Sequence, residues 1–252
     1  MTKKMRVLIA CEFSGTVRDA FAARGHEAWS CDLLESETPG NHIQGDVLDV
    51  IGQDWDLMIA HPPCTYLAVS GMHWTTRGLR DPKLTENALE FVRKLLEAPI
   101  PKIALENPIS IISTKIRKPN QIVQPWFFGH DASKKTCLWL KNLLPLSPTK
   151  IIPPKGWHVV KYADECPLCD CCGAPWCVEC DCIGPTMEEA TYAEIEGVLF
   201  GFIEELEENP GRPLWGNQTP SGQNKLGPSK DRWKIRSRTY SGLAQAMANQ
   251  WG

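Results

Sequence analysis

The sequence predicts an α/β fold: a doubly wound, mostly parallel sheet that carries a small cysteine-rich insert. Three observations lead there. Over the first 110 residues short apolar runs alternate with helix-patterned segments, the mark of a parallel sheet covered on both faces. After Leu144 the texture turns to prolines and a dense cysteine cluster. The last residues, Ser241 to Trp251, are again patterned as an amphipathic helix. The expected division is a core over 1–144, an insert over 145–235 and a segment over 236–252 that returns to the core.

Arg6 to Ala10 reads as a buried strand. Thr16 to Arg24 follows as a helix with Val17, Ala20 and Phe21 on one side and Gly25 as its stop. Glu27 to Cys31 is a second strand, ending at Asp32, and Leu57 to Ala60 is an apolar run cut off by Pro62-Pro63. Asp81-Pro82 opens a helix, with a capping aspartate and proline at the first helical position. Leu84, Ala88, Phe91, Val92 and Leu95 are its expected apolar face. Ile103 to Leu105 is the next strand and runs into Glu106-Asn107-Pro108. Thr186 and Glu189 form a capping box for a helix to about Glu208, and Asn209 to Pro228 reads as a long loop.

The 252 residues, 42% hydrophobic and 23% charged, exclude a wholly disordered chain. No apolar run reaches the roughly 18–20 residues that a membrane span needs. Met1 to Met5 is a short basic prelude with no signal-peptide core, so a cytoplasmic monomer with reduced thiols is expected. The net charge of -3 argues against coating nucleic acid by bulk charge and leaves room for a local basic face.

Four constellations carry chemistry. The first is the turn Cys11-Glu12-Phe13-Ser14-Gly15-Thr16 between the first strand and helix, which faces the ligand crevice of a doubly wound sheet. Gly15 would admit a cofactor close to the backbone and Phe13 would lie against an adenine. Asp32 suits a ribose diol, and Asp46, in Gly45-Asp46-Val47, an adenine amino group. The set points to a nucleoside cofactor.

The second is His61-Pro62-Pro63-Cys64 at one strand end and Glu106-Asn107-Pro108 at the next. A thiolate that adds to carbon 6 of a pyrimidine, facing a carboxyl group that steadies ring nitrogen 3 and the exocyclic amine, is what base chemistry requires. The third is the cluster from Cys166 to Cys182, which holds seven of the 11 cysteines. Its overlapping Cys-x-x-Cys pairs suit zinc held by thiolates, with Cys166, Cys169, Cys172, Cys177, Cys180 and Cys182 as candidates. One ion, two sharing a sulfur, and an iron–sulfur cluster all remain open. The fourth is a basic tail of Lys225, Lys230, Arg232, Lys234, Arg236 and Arg238, interleaved with Trp233 and preceded by the amide-rich stretch Gln218 to Asn224. It reads as a phosphate-tracking strip with Gln223 at base edges, extended by Lys134 and Lys135.

Cys11-Glu12-Phe13-Ser14-Gly15, Pro62-Pro63-Cys64 and Glu106-Asn107-Pro108 resemble, in order, the cofactor, nucleophile and carboxylate loops of DNA cytosine-5 methyltransferases. The stretch from Asn217 to Thr219-Pro220 and from Arg236 through Tyr240-Ser241-Gly242 to Trp251 resembles a short, phage-type branch of that family. The resemblance implies a Rossmann-like methyltransferase core, S-adenosylmethionine as donor, and a cytosine flipped from double-stranded DNA. It implies Cys64 and Glu106 as catalytic residues. Phe13, Ser14, Gly15, Thr16, Asp32, Leu33, Asp46, Val47, Pro62, Tyr240, Ser241 and Gly242 would line the donor site. The host cytoplasm is the implied compartment for a phage-borne member. Four departures stand out: Val17 replaces the usual second glycine, His61 the glycine before Pro-Pro-Cys, and Pro108 a valine. Ser133-Lys134-Lys135-Thr136 is the nearest segment to the family's basic Gln-x-Arg-x-Arg. These leave open a related enzyme that attaches a larger group from an altered donor, and a DNA-binding protein on the same scaffold without turnover.

Overall fold

The computed structural model describes residues 3–158, 212–219 and 223–252. The chain forms two compact units, Met1–Ile152 with Gly227–Gly252, and Pro153–Leu226. The breaks fall beyond 144 and before 235 because the chain keeps packing there: Leu146 is buried and the Ile152 amide donates to the Trp126 carbonyl at 2.9 Å.

In the first unit the order is β1 (Arg6–Ala10), α1 (Thr16–Ala23), β2 (Glu27–Asp32), β3 (His42–Gln44), β4 (Leu57–Ala60), α2 (Val69–Thr76) and α3 (Pro82–Leu96). There follow β5 (Lys102–Pro108), α4 (Ile112–Lys115), β6 (Gln121–Val123), β7 (Thr136–Lys141), α5 (Arg232–Ser237) and α6 (Ser241–Trp251). The strands make one seven-stranded sheet in the order β3-β2-β1-β4-β5-β7-β6. The first five run parallel, and β7 lies antiparallel between β5 and β6. The chain winds outward from β1 through β2 to β3, then returns to place β4 on the other side of β1. The order thus reverses between β1 and β4, and in doubly wound sheets ligands bind beyond the carboxyl ends of the strands at such a reversal.

Alternation along the strands builds two cores. Val7, Ile9, Leu57 and Ile59 join Val17 and Phe21 of α1 and Met247 and Trp251 of α6 on one face. Leu8, Ala10, Met58 and Ala60 join Leu89, Val92 and Leu95 of α3 on the other. Strands buried on both faces read as unbroken apolar runs, which is why β1 and β4 stand out in the sequence. Asp81 caps α3 as expected, accepting from the Lys83 amide at 2.9 Å ahead of Pro82. The apolar face of α3 is rotated from the expected one: Thr85, Leu89, Val92 and Leu95 are buried, while Leu84 is 38% exposed. Thr85 turns inward because its hydroxyl donates to the Tyr66 carbonyl at 3.2 Å.

In the second unit β8 (Trp157–His158) pairs antiparallel with β9 (Arg212–Pro213). The stretch expected to be a plain loop holds a bridge between Gln218 and Asn224 and a bond from the Thr219 amide to the Gln223 carbonyl at 2.8 Å. The helix expected over 186–208 and the cysteines from Cys166 to Cys182 lie outside the described residues. Among the described residues no helix is long and apolar enough to cross a membrane.

Candidate active site

The turn after β1 is built around Glu12. Its buried carboxylate accepts from the Val17 amide at 2.7 Å and the Arg18 amide at 3.1 Å, and so closes the N-terminus of α1. Ser14 Oγ lies 3.2 Å from Glu12 and 3.1 Å from Thr16 Oγ1. Sequence reasoning passes over Glu12, although a carboxylate ahead of a first helical turn is a recognisable N-terminal signal. Gly15 takes the left-handed conformation, with φ at 74°. A β-carbon there would collide with the side chains of Thr38 and Arg18, so protein packing already demands glycine. Arg18 is also fully buried; it donates to Ser30, Ser36, Thr38 and Pro39 and shapes the 36–39 loop beside the turn.

Asp32 ends β2, next to β1, and one of its oxygens accepts from the Leu34 amide at 3.0 Å. Partial burial pulls its carboxyl above the ordinary value, against that bond and His42. Asp46 caps the short turn after β3 by accepting from the Leu48 amide at 2.9 Å. Burial, and after it Asp32, Cys31 and Asp46, push the Cys11 thiol strongly upward. The Cys31 thiol is pushed up to about 11 by burial and by Asp32 and Asp46. The two carboxylates and the Cys11 turn therefore share one electrostatic neighbourhood. Leu33 stands 72% exposed beside them, whereas Val47 is buried in the core.

The loop after β4, which carries Cys64, and the end of β5, which carries Glu106, are clamped together. Asn107, 1% exposed on β5, donates through Nδ2 to the Pro62 carbonyl at 2.9 Å. The Val69 amide donates to Ile109 and the Ile111 amide to Leu67, so the stretches after β4 and β5 run zipped side by side. Cys64 is exposed in the loop beyond β4, and Glu106 is buried on β5. The walls around Cys64 raise its thiol pKa and Glu106 adds to the rise, while Lys134 and Arg236 pull it down. Burial pulls Glu106 upward too, but His61, Lys134 and the Thr136 hydroxyl outweigh it and hold the carboxyl below the ordinary value. The His61 contact is direct, with Nδ1 2.9 Å from Glu106 Oε2.

The expected basic strip divides between the units. Gln223 and Lys225 belong to the second, where Lys225 Nζ donates to the Gly216 carbonyl at 2.9 Å. Lys230 to Arg238 belong to the first, and Arg232, Lys234 and Arg236 ride on α5, a helix that the sequence pattern does not announce. The Trp233 ring stands 6.0 Å from Phe13, and Lys134 Nζ donates to the Arg236 carbonyl at 3.0 Å. Arg238 pairs with Glu37 at 2.8 Å. Thus α5 bridges the turn after β1 and the neighbourhood of Cys64. Lys135 is partly buried just ahead of β7. Tyr240 lies against the His130 ring, the Gly242 amide donates to His130 at 2.9 Å, and a β-carbon on Gly242 would strike the Phe128 carbonyl. Ser241 and Thr16 line a groove of about 420 Å³ between α1 and α6, whose lining includes neither Cys64 nor Glu106. No group of three or more metal-ligating side chains occurs among the described residues.

No family model and no curated protein matches the chain. Among solved structures, the chain is similar to an E. coli protein provisionally described as a DNA modification methyltransferase encoded within a prophage. The identity is 16% and the TM-score 0.39, over 60% of this chain and 53% of that one. The match spans about half the length of that protein.

Proposed function

We propose that this chain transfers a methyl group from S-adenosylmethionine to carbon 5 of cytosine in duplex DNA, with Cys64 as covalent nucleophile. The observation that carries the reading is an exposed thiol, Cys64, in the loop beyond β4, within electrostatic reach of a buried, ionised carboxylate, Glu106, near the carboxyl end of the neighbouring β5. The strand end of β1, next to β4, holds the Cys11 turn with Asp32 and Asp46 close to it.

The first turn of α1 favours a nucleoside without phosphate. A pyrophosphate would need amides that Glu12 has taken, and would face its negative charge. A nucleoside without phosphate meets no such obstacle, and Asp32, Asp46 and Leu33 would hold its sugar and base. S-adenosylmethionine, when bound, supplies an electrophilic methyl group.

The remaining chemistry belongs to the chain. Cys64 must shed its proton before its sulfur can bond to carbon 6, and Lys134 and Arg236 favour that loss. Glu106 accepts from the exocyclic amine and sets the proton on ring nitrogen 3, which selects cytosine. Asn107 holds the two loops at a fixed separation. A base in a duplex reaches Cys64 only when swung out of the stack, and the cations of α5 supply phosphate contacts for the strand that bends. Pro153–Leu226 would be the recognition unit, with zinc ordering its cysteine-rich stretch. Incubation with duplex DNA and labelled donor, followed by nucleoside mass analysis, tests the reading. A gain of one methyl on cytosine is expected, a heavier adduct indicates another donor, and unmodified nucleosides refute the proposal.

A further inference from the structure

His61 stands where the resemblance leads one to expect glycine, and its surroundings are unusual. Its side chain is 8% exposed, and Nδ1 lies 2.9 Å from Glu106 Oε2. Nε2 is buried with no hydrogen-bond partner among the described residues. A histidine that served packing alone would be expected to satisfy both ring nitrogens, since buried polar atoms almost always find partners. Among the described residues the ring's one polar contact is with Glu106. Glu106 is held ionised and is then an acceptor only, so the hydrogen in that contact sits on Nδ1.

We propose that His61 is a positioning residue for Glu106: by donating Nδ1–H to Oε2 it commits that oxygen to the protein and makes the carboxyl a stronger acid toward ring nitrogen 3 of the bound base. The inference rests on the cytosine reading above. When a cytosine enters, one proton is taken from solvent and shared between Glu106 and ring nitrogen 3. The bond to His61 stabilises the carboxylate and moves that proton onto the base. Nitrogen 3 then carries positive charge, the sulfur lone pair of Cys64 bonds to carbon 6, and the double-bond electrons are drawn into the ring. Once carbon 5 carries the methyl group, solvent water takes the carbon-5 proton, the electrons of that C–H bond re-form the carbon 5–carbon 6 double bond, the C–S bond breaks with its electrons leaving on the Cys64 thiolate, and the proton on nitrogen 3 returns to Glu106 and thence to solvent. The other groups facing Glu106 are Lys134 and Thr136 beside and on β7, and Cys64 above it, with Arg236 acting on Cys64. Of these, Thr136 also bonds the carboxylate, through its hydroxyl.

The test uses His61→Ala, His61→Asn and His61→Gln in the full chain. Asparagine can place an amide N–H where Nδ1–H stands; glutamine, one methylene longer, cannot. Carbon-13 NMR of labelled glutamate, with Glu106→Gln marking the resonance, follows the Glu106 titration directly. We expect its midpoint to rise by about one unit in the alanine and glutamine variants and to stay put in the asparagine variant. Transfer to cytosine at neutral pH should fall in kcat by about tenfold for alanine and glutamine, with donor KM unchanged, and recover to within about threefold for asparagine. An unmoved Glu106 midpoint overturns the proposal, and so does an asparagine variant as impaired as glutamine at equal thermal stability. If the alanine variant does not fold, asparagine against glutamine decides. Should the wild type modify no cytosine, the function reading fails, while the NMR midpoint still reports whether His61 sets the acidity of Glu106.

Discussion

Asn107→Asp tests whether one buried hydrogen bond holds the Cys64 loop against β5. Asn107 is 1% exposed and its Nδ2 donates to the Pro62 carbonyl at 2.9 Å. Aspartate keeps the shape and exchanges the donor for an acceptor, so two oxygens then face each other. The Pro62 carbonyl loses its partner in a site without ready access to water, a penalty of about 1–3 kcal/mol. The added charge must also be buried close to ionised Glu106, which raises the cost further. Asn107→Ala removes the bond without the repulsion and should cost about 1–3 kcal/mol plus a small cavity contribution. For a chain of this size that is a loss in Tm of about 2–4 °C per kcal/mol, with aspartate the worse of the two. The effect on Cys64 is separable from stability. A released 62–64 loop should let a thiol-alkylating reagent label Cys64 faster, and a displacement of about 1 Å is worth roughly 100-fold in a positioned reaction. Thermal unfolding, peptide-mapped alkylation and transfer to cytosine are measured on the same preparations. An aspartate variant with wild-type Tm and wild-type labelling of Cys64 would refute the clamp.

Four further outcomes are expected. Cys64→Ser should abolish transfer and retain donor and DNA binding, because serine is a far poorer nucleophile at neutral pH; near-normal turnover sinks the covalent mechanism. The Cys64 thiol is held above its ordinary 9.0, so its alkylation rate should climb with pH without levelling off below 9, and Lys134→Ala should slow it at fixed pH; a plateau near neutrality contradicts this. Lys230→Ala with Arg232→Ala should flatten the log–log dependence of DNA affinity on salt by roughly two units if both contact phosphate, and an unchanged slope would mean that another surface holds the duplex. Elemental analysis of chelator-free protein should find about one or two zinc ions per chain, and disulfides mapped through Cys166–Cys182 with negligible zinc would reject the metal site.

Features that depend only on neighbours along the chain are legible in the sequence. β1 and β4 are apolar runs bounded by charge or proline, and their sequence limits coincide with the observed strands to the residue. The Asp81 cap and the start of α3 follow from a two-residue signal. Pro62-Pro63 stops β4 short of Cys64, as the sequence suggests, whereas β5 runs on through Glu106-Asn107-Pro108 because β7 pairs with it there. Helix α5 escapes such reading because its six residues carry three cations and no regular apolar stripe; its tryptophan, Trp233, is 53% exposed and stands beside the distant Phe13, a neighbour that no local pattern encodes. The face of α3 is misjudged from sequence because Leu84 and Thr85 are equally compatible with the period, and a bond to Tyr66 decides between them.

The sequence by itself determined the chemistry on offer: a thiol and a carboxylate at strand ends, two aspartates near a glycine turn, and a run of cations. Tertiary structure alone decided what these groups do to one another. His61 meets Glu106 across 45 residues and Lys134 meets Arg236 across 102, and the charge states of Glu106 and Cys64 follow from those meetings. The reason is physical. Strand periodicity and capping act over a few residues and are written in order along the chain. Acidity is set by burial and by charges within a few ångströms, whatever their separation in sequence, and these exist only once β4, β5 and β7 lie side by side.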